Sequence, residues 1–156
     1  MSGADAENAE IYRQNAAEYI KKLDALDKEY IAAVSEAKHD TLVFGDRFPF
    51  GYMTDDYGLS YYAAFEGCSA ETEASFETVA FLAGKLDELG LNCVMTIDGS
   101  DKRIAQTIIE SSENKDRKIL TLDSMQSTTM KDIKDGASYY GIMESDLGVL
   151  KEALGG

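Results

Sequence analysis

The sequence is poor in histidine and cysteine, the residues that most zinc and redox sites use. Its 156 residues include one histidine and two cysteines. Cys68 and Cys93 form no CxxC or Cys/His arrangement, which excludes a zinc knuckle and a dithiol redox motif. We interpret both cysteines as small buried apolar residues, and a disulfide between them stays open.

Positive charge and long apolar runs are also scarce. There are 15 basic against 29 acidic residues, and the formal net charge is −14. Such a surface repels phosphate backbones and anionic membranes, so we expect no nucleic acid partner. No run approaches the ~20 apolar residues of a transmembrane helix, and the N-terminus lacks the apolar core of a signal peptide. Cations are the ligands that this charge attracts.

Sequence motifs of common enzyme classes are missing. No GxGxxG follows a predicted strand, and neither a GxxxxGK[ST] loop nor a GxSxG elbow occurs. The single histidine, His39, lies near the end of a predicted helix without a nucleophile beside it in sequence, and we interpret it as a solvated helix-end residue. The chain is therefore not predicted to be an enzyme.

The first segment predicts one long helix. Apolar residues recur at spacings of three and four at Tyr12, Ala16, Tyr19, Leu23, Leu26, Tyr30 and Ala33. A helix over residues 5–37 would be roughly 50 Å long, whereas a compact domain of this size has a radius of gyration of only ~15 Å. We expect the helix to extend beyond the domain, either as a coiled-coil arm or as a helix that joins two lobes.

Short apolar runs and amphipathic helices alternate in the rest of the chain. Strands are predicted at 41–44, 61–65, 93–97 and 118–122, helices at 48–57, 75–89, 100–112 and 138–154, with Ser75 and Ser100 as N-caps and a long loop at 123–137. This order predicts an α/β fold in which a four-stranded parallel sheet is flanked by helices. We divide the chain into a linking helix, residues 1–38, and a lobe, residues 39–156.

Each predicted strand is followed closely by a carboxylate. These residues are Asp46, Glu66, Asp98 and Asp123. One such residue is typical of turns and helix caps. Four of them at the edge where parallel strands bind ligands indicate a divalent cation site.

Four stretches resemble one family in order and spacing. They are VFGDRFPFGY at 43–52 with DYGL at 56–59, EGCSAETEAS at 66–75, LDSM at 122–125 and YYGIM at 139–143. Together they resemble the C-terminal lobe of the metal-binding solute-binding proteins of ABC transporters, the zinc and manganese type often called adhesin lipoproteins. Residues 5–37 are similar to the helix that joins the two lobes in that family.

The resemblance implies metal transport. Such proteins bind Zn²⁺ or Mn²⁺ between two lobes, at the extracellular face of the cytoplasmic membrane or in the periplasm, and deliver it to a permease. The first lobe of the family contributes two histidines, and we expect this chain to lack that lobe.

The resemblance also implies metal ligands. The family's late acidic ligand falls on Asp123, and its other ligand in this lobe falls on Arg47, which stays protonated and has no lone pair for a metal. Either Asp46 replaces it or Arg47 pairs with a carboxylate, and we favour Asp46. Glu66 is a third candidate, as a neighbour that supports the ligands. The predicted metal residues are therefore Asp123, Asp46 and Glu66.

Two other functions stay open at this point. One is a Mg²⁺-dependent phosphotransfer or receiver-like domain, which would need an acidic pair after the first strand, where only Asp46 stands. The other is a non-catalytic interaction module that forms a homodimer through the long helix or a sheet edge.

Overall fold

The computed structural model of the protein describes residues 3, 5–66 and 73–155. The helices are α1 (Ala9–Ser35), α2 (Gly51–Tyr57), α3 (Phe76–Glu88), α4 (Arg103–Ser111), α5 (Met130–Lys134) and α6 (Tyr139–Ala153), and the strands are β1 (Thr41–Phe48), β2 (Ser60–Glu66), β3 (Cys93–Ile97) and β4 (Lys118–Leu122).

The four strands form one parallel sheet in the order β2-β1-β3-β4. This confirms the predicted fold class. From β1 the chain moves outward to β2 and then returns past β1 to β3, so the direction of winding reverses between β1 and β3. In open α/β sheets, ligands bind beyond the carboxyl ends of the strands at such a reversal.

Helices cover both faces of the sheet. On one face α1, α2 and α6 pack on a core that includes Phe44, Met95 and Leu150. On the other face α3 and α4 pack on a core around Val94 and Ile108. All five of these residues are fully buried, so the sheet forms the central layer of a three-layer domain.

The C-terminal half of α1 attaches the helix to the domain. Leu26 and Tyr30 are its buried residues, and the Tyr30 hydroxyl donates a 2.7 Å hydrogen bond to the Met143 carbonyl of α6. The N-terminal half leaves large apolar side chains such as Tyr19 and Ile20 exposed. The helix therefore extends beyond the core, as its length predicts.

The predicted end of the first strand was wrong. β1 continues to Phe48, with a register shift between Phe44 and Arg47, so Asp46 lies inside the strand and not after it. Gly45 allows this course because a Cβ there would lie 2.5 Å from the Cα of Ala105 in α4. The following helix accordingly begins at Gly51, later than predicted.

Of the two predicted N-caps, one is confirmed. The Ser75 hydroxyl accepts a 3.0 Å hydrogen bond from the Thr78 amide at the start of α3. Ser100 does not cap α4, because that helix begins at Arg103 and its N-cap residue is Lys102, with a φ of 62°.

Two further expectations are corrected. Residues 123–137 are not an unbroken loop, because α5 lies within them and is started by a capping box between Thr129 and Asp132. His39 is half-buried, and its Nε2 is shielded from solvent without a hydrogen-bond partner among the described residues.

Within the described ranges, no helix is both long enough and apolar enough to cross a bilayer.

Candidate metal site

Two carboxylates meet where β3 and β4 end. Ile97 and Leu122 are paired in register, and Asp98 and Asp123 directly follow them. The Asp98 amide donates a 3.1 Å hydrogen bond to the Leu122 carbonyl, which extends the sheet contact to the first residue after β3. The structure thus brings together two of the four predicted strand-end carboxylates.

Asp123 presents an oxygen at this edge. Its side chain is half-buried, and its Oδ1 accepts a 2.8 Å hydrogen bond from the Met125 amide. The other carboxylate oxygen, Oδ2, takes no part in this local turn. A carboxylate in this state can donate an oxygen to a cation.

Asp98 is held by the loop that follows β4. Its Oδ1 accepts hydrogen bonds from the Ser124 amide at 2.6 Å and the Ser124 hydroxyl at 2.5 Å. Its Oδ2 accepts from the Ser127 amide at 3.1 Å and from the Ser127 hydroxyl. Burial alone would raise the pKa of Asp98, but these hydrogen bonds outweigh it and lower the pKa below its ordinary value.

A third carboxylate, Asp146, belongs to the same group. It lies on α6 with 5% of its surface exposed, and its Oδ1 accepts a 3.0 Å hydrogen bond from the Asp123 amide. Burial, followed by the charges of Asp123 and Asp98, raises the pKa of Asp146 to about 6.

Sequence reasoning missed Asp146, although the sequence contains a signal for it. Asp146, Leu150 and Ala153 share one helical stripe at spacings of four and three, and all three are buried. A carboxylate in such a stripe is uncommon unless it has a buried partner, so the position indicates a polar contact.

Asp46 makes its polar contacts with Arg47. It is 8% exposed, and its Oδ1 accepts a 2.8 Å hydrogen bond from the Arg47 amide and lies 3.9 Å from the Arg47 Nε. The arginine therefore pairs with the carboxylate that we favoured as its replacement. Asp46 as a metal ligand stays a prediction.

Glu66 is the last residue of β2 and pairs in register with Phe48 of β1. Its side chain and the six residues 67–72, which include Cys68, lie outside the described residues, so the question of a disulfide stays open. Cys93 is buried in the core on the face covered by α1, α2 and α6.

The described side chains do not form a complete metal cage by themselves. In the ranges that the structure describes, no three His, Cys, Asp or Glu side chains converge closely enough to hold an ion. A zinc ion normally has four ligands, so these side chains alone would fill at most part of a coordination shell.

Comparison with known proteins agrees with the resemblance seen in the sequence. Residues 1–153 match the family described as "ZnuA: Zinc-uptake complex component A periplasmic". The zinc-binding protein AdcA of Streptococcus pyogenes is 32% identical over 151 residues, which are 97% of this chain and 28% of AdcA. The high-affinity zinc uptake system protein ZnuA of Bacillus subtilis is 28% identical over 96% of this chain and 46% of that protein. The chain thus spans less than half the length of either relative.

Solved structures show the same fold. The Zn(II)-bound ZnuA-like domain of Streptococcus pneumoniae AdcA superposes with a TM-score of 0.74 and 28% identity, over 98% of this chain and 55% of that one. The metal-dependent lipoprotein YcdH of Bacillus subtilis gives a TM-score of 0.79 with 26% identity, over 98% of this chain and 56% of that one. The family is defined by a metal-binding component of an uptake system and not by an enzymatic activity. With a family match that covers residues 1–153, this chain belongs to the ZnuA family of zinc-uptake components.

Proposed function

We propose that this chain is a metal-binding lobe of an ABC transporter's solute-binding protein and that its physiological ligand is Zn²⁺. Residues 39–156 form the lobe, and residues 1–38 form the helix that links it to a second lobe. The relatives that support this proposal are named for zinc. Manganese is the alternative cation, because oxygen ligands alone suit Mn²⁺ better than Zn²⁺.

The position of Asp123 is the observation that carries the proposal. It follows β4 at the carboxyl edge of the sheet, and its Oδ2 is not used by the turn that Oδ1 forms with Met125. Asp46 is the second proposed ligand, and to bind the ion its carboxylate must give up its contact with Arg47. Glu66 is the third candidate. These oxygens leave a zinc shell short of nitrogen donors.

A second lobe completes the proposed site. The family resemblance assigns two histidines to that lobe, and the exposed apolar side chains on the N-terminal half of α1 give it a surface to pack on. The complete protein would act in the periplasm or at the extracellular face of the cytoplasmic membrane, where it would deliver zinc to its permease.

Zinc titration of the 156-residue chain tests the proposal. We expect weak binding, micromolar at best, because only part of the shell is present. Asp123→Asn should abolish it, while Asp135→Asn, which changes an exposed aspartate between α5 and α6, should leave it unchanged. Zinc binding that is the same in the Asp123 variant and the unchanged chain would contradict the proposal, and nanomolar binding would contradict the partial shell.

Self-association is a second candidate role, favoured by the exposed apolar part of α1. Ile11, Tyr19 and Ile20 are each more than 40% exposed. We propose that two copies pair through this part of the helix, and sedimentation velocity should then detect a homodimer that Ile20→Glu weakens. A monomer at high concentration would exclude this role.

A further inference from the structure

We infer that Asp98 is a positioning residue for the metal site: it holds the loop that carries Asp123 and does not itself bind the ion. The inference rests on the proposed function, because it takes Asp123 to be a metal ligand. It concerns residues 123–127, which connect the end of β4 to the segment before α5.

The hydrogen bonds of Asp98 are the main argument. An ionised carboxylate has about four lone-pair directions. Asp98 uses them for two amides and two hydroxyls, those of Ser124 and Ser127. A cation that took an oxygen of Asp98 would displace at least one of these donors, whereas Asp123 uses Oδ1 for a single amide.

The backbone of the loop supports the same assignment. Met125, between the two serines, has a φ of 61°, in the left-handed region that is sterically unfavourable for a non-glycine residue. Such a conformation persists when the surroundings fix it. The contacts that fix it are the paired serines on Asp98 and the Met125 amide on Asp123.

Asp146 holds the other side of the same residue. Its Oδ1 accepts a hydrogen bond from the Asp123 amide, so the backbone of Asp123 is bound to α6, while Ser124 and Ser127 of the loop are bound to Asp98 at the end of β3. Asp123 is thus placed from two elements of the fold. Placement of this kind fixes where a ligand oxygen points before the ion arrives.

A comparison of two variants separates a positioning role of Asp98 from direct ligation. Asp98→Asn should weaken zinc binding in both cases, so it shows only that Asp98 contributes. The double variant Ser124→Ala/Ser127→Ala keeps the Asp98 carboxylate and removes the two hydroxyl donors, so it weakens zinc binding only if the loop must be held. Ser145→Ala, at an exposed position on α6, is the matched control.

The experiment combines two measurements on the 156-residue chain. Zinc affinity is measured by competition with a chromophoric chelator, and hydrogen exchange of the amides at 123–127 is measured in the metal-free chain. We expect both loop variants to lose about 10-fold to 100-fold in affinity, as outer partners of metal ligands do, and to exchange these amides faster. The control should match the unchanged chain in both measurements.

Other results have distinct meanings. If the double variant binds zinc at least as tightly as the unchanged chain, holding the loop through the serines does not contribute to zinc binding, and the inference is overturned. Unchanged exchange of the loop amides in both variants would overturn it as well. Faster exchange together with zinc binding that does not depend on Asp123 would support the placement of Asp123 by Asp98 but overturn the proposed function.

Discussion

Replacing Asp146 with asparagine should stabilise the metal-free protein at neutral pH and have little effect near pH 4. Burial raises the pKa of Asp146 from 3.8 to about 6 in the folded protein. A carboxyl whose folded pKa lies above its unfolded value stabilises the fold when it is protonated, and this contribution is lost as the pH rises through 6. The difference between the two pKa values corresponds to at most about 3 kcal/mol.

Asparagine removes the titration and keeps the shape. It is uncharged at every pH, and its side-chain oxygen can accept the hydrogen bond that Asp146 takes from the Asp123 amide. The variant should therefore exceed the unchanged protein in free energy of unfolding by up to about 3 kcal/mol at pH 7.5. The excess should fall toward zero between pH 6 and pH 4.

Urea unfolding followed by circular dichroism measures this difference. Both proteins are unfolded at pH 4, 5, 6 and 7.5 with a chelator present, so that no metal contributes. Glu18→Gln, which removes an exposed carboxylate of α1, should show no such pH-dependent gain. A difference that is constant from pH 4 to 7.5, or a variant that is less stable at pH 7.5, would refute the reasoning.

Four other substitutions test the packing and the site. Gly45→Ala should destabilise the protein by about 1–3 kcal/mol in urea unfolding, because the added Cβ would collide with the backbone of Ala105. Gly84→Ala, on the exposed side of α3, should instead stabilise the protein by about 0.5–1 kcal/mol, because alanine favours the helix more than glycine does. Tyr30→Phe should cost about 1–2 kcal/mol in the same assay, since a carbonyl of α6 loses its donor. Arg47→His should tighten zinc binding about tenfold in a competition titration, because the histidine adds a nitrogen donor and the loss of the arginine releases Asp46. Unchanged zinc affinity would show that position 47 lies outside the site.

Apolar runs predicted the bounds of two of the four strands. The predicted strands 93–97 and 118–122 coincide with β3 and β4; β3 contains no charged residue, and β4 contains one only at its first position, Lys118. In β1 the run ends at Gly45-Asp46-Arg47, so the sequence gives no sign that the strand continues. It continues because Arg47 and Phe48 pair with Phe65 and Glu66 of β2, a tertiary contact that overrides the local pattern.

The sequence predicted the site residues that follow the ends of strands. It did not predict the residues that join the site through side-chain hydrogen bonds. Asp98 and Asp123 could be placed together because parallel strands end at one edge. Asp146 reaches them from a helix 23 residues later, and the serine contacts depend on a loop conformation with a positive φ at Met125. Such contacts depend on how α6 packs against the loop, and the patterns of a single sequence do not reveal that packing.

The three carboxylates at this edge are not equivalent. Asp98 already accepts four hydrogen bonds, and Asp146 is 5% exposed on α6, so a cation could reach either one only by displacing existing contacts. Asp123 is half-buried and uses one oxygen for a single amide. In the proposed site, Asp98 and Asp146 would therefore serve mainly to hold Asp123 in place. Because one carboxylate cannot bind zinc tightly alone, we expect the remaining affinity to come from Asp46, Glu66 or donors of a second lobe. The Arg47→His titration tests this part of the argument, and the Ser124→Ala/Ser127→Ala titration tests whether Asp98 holds the loop.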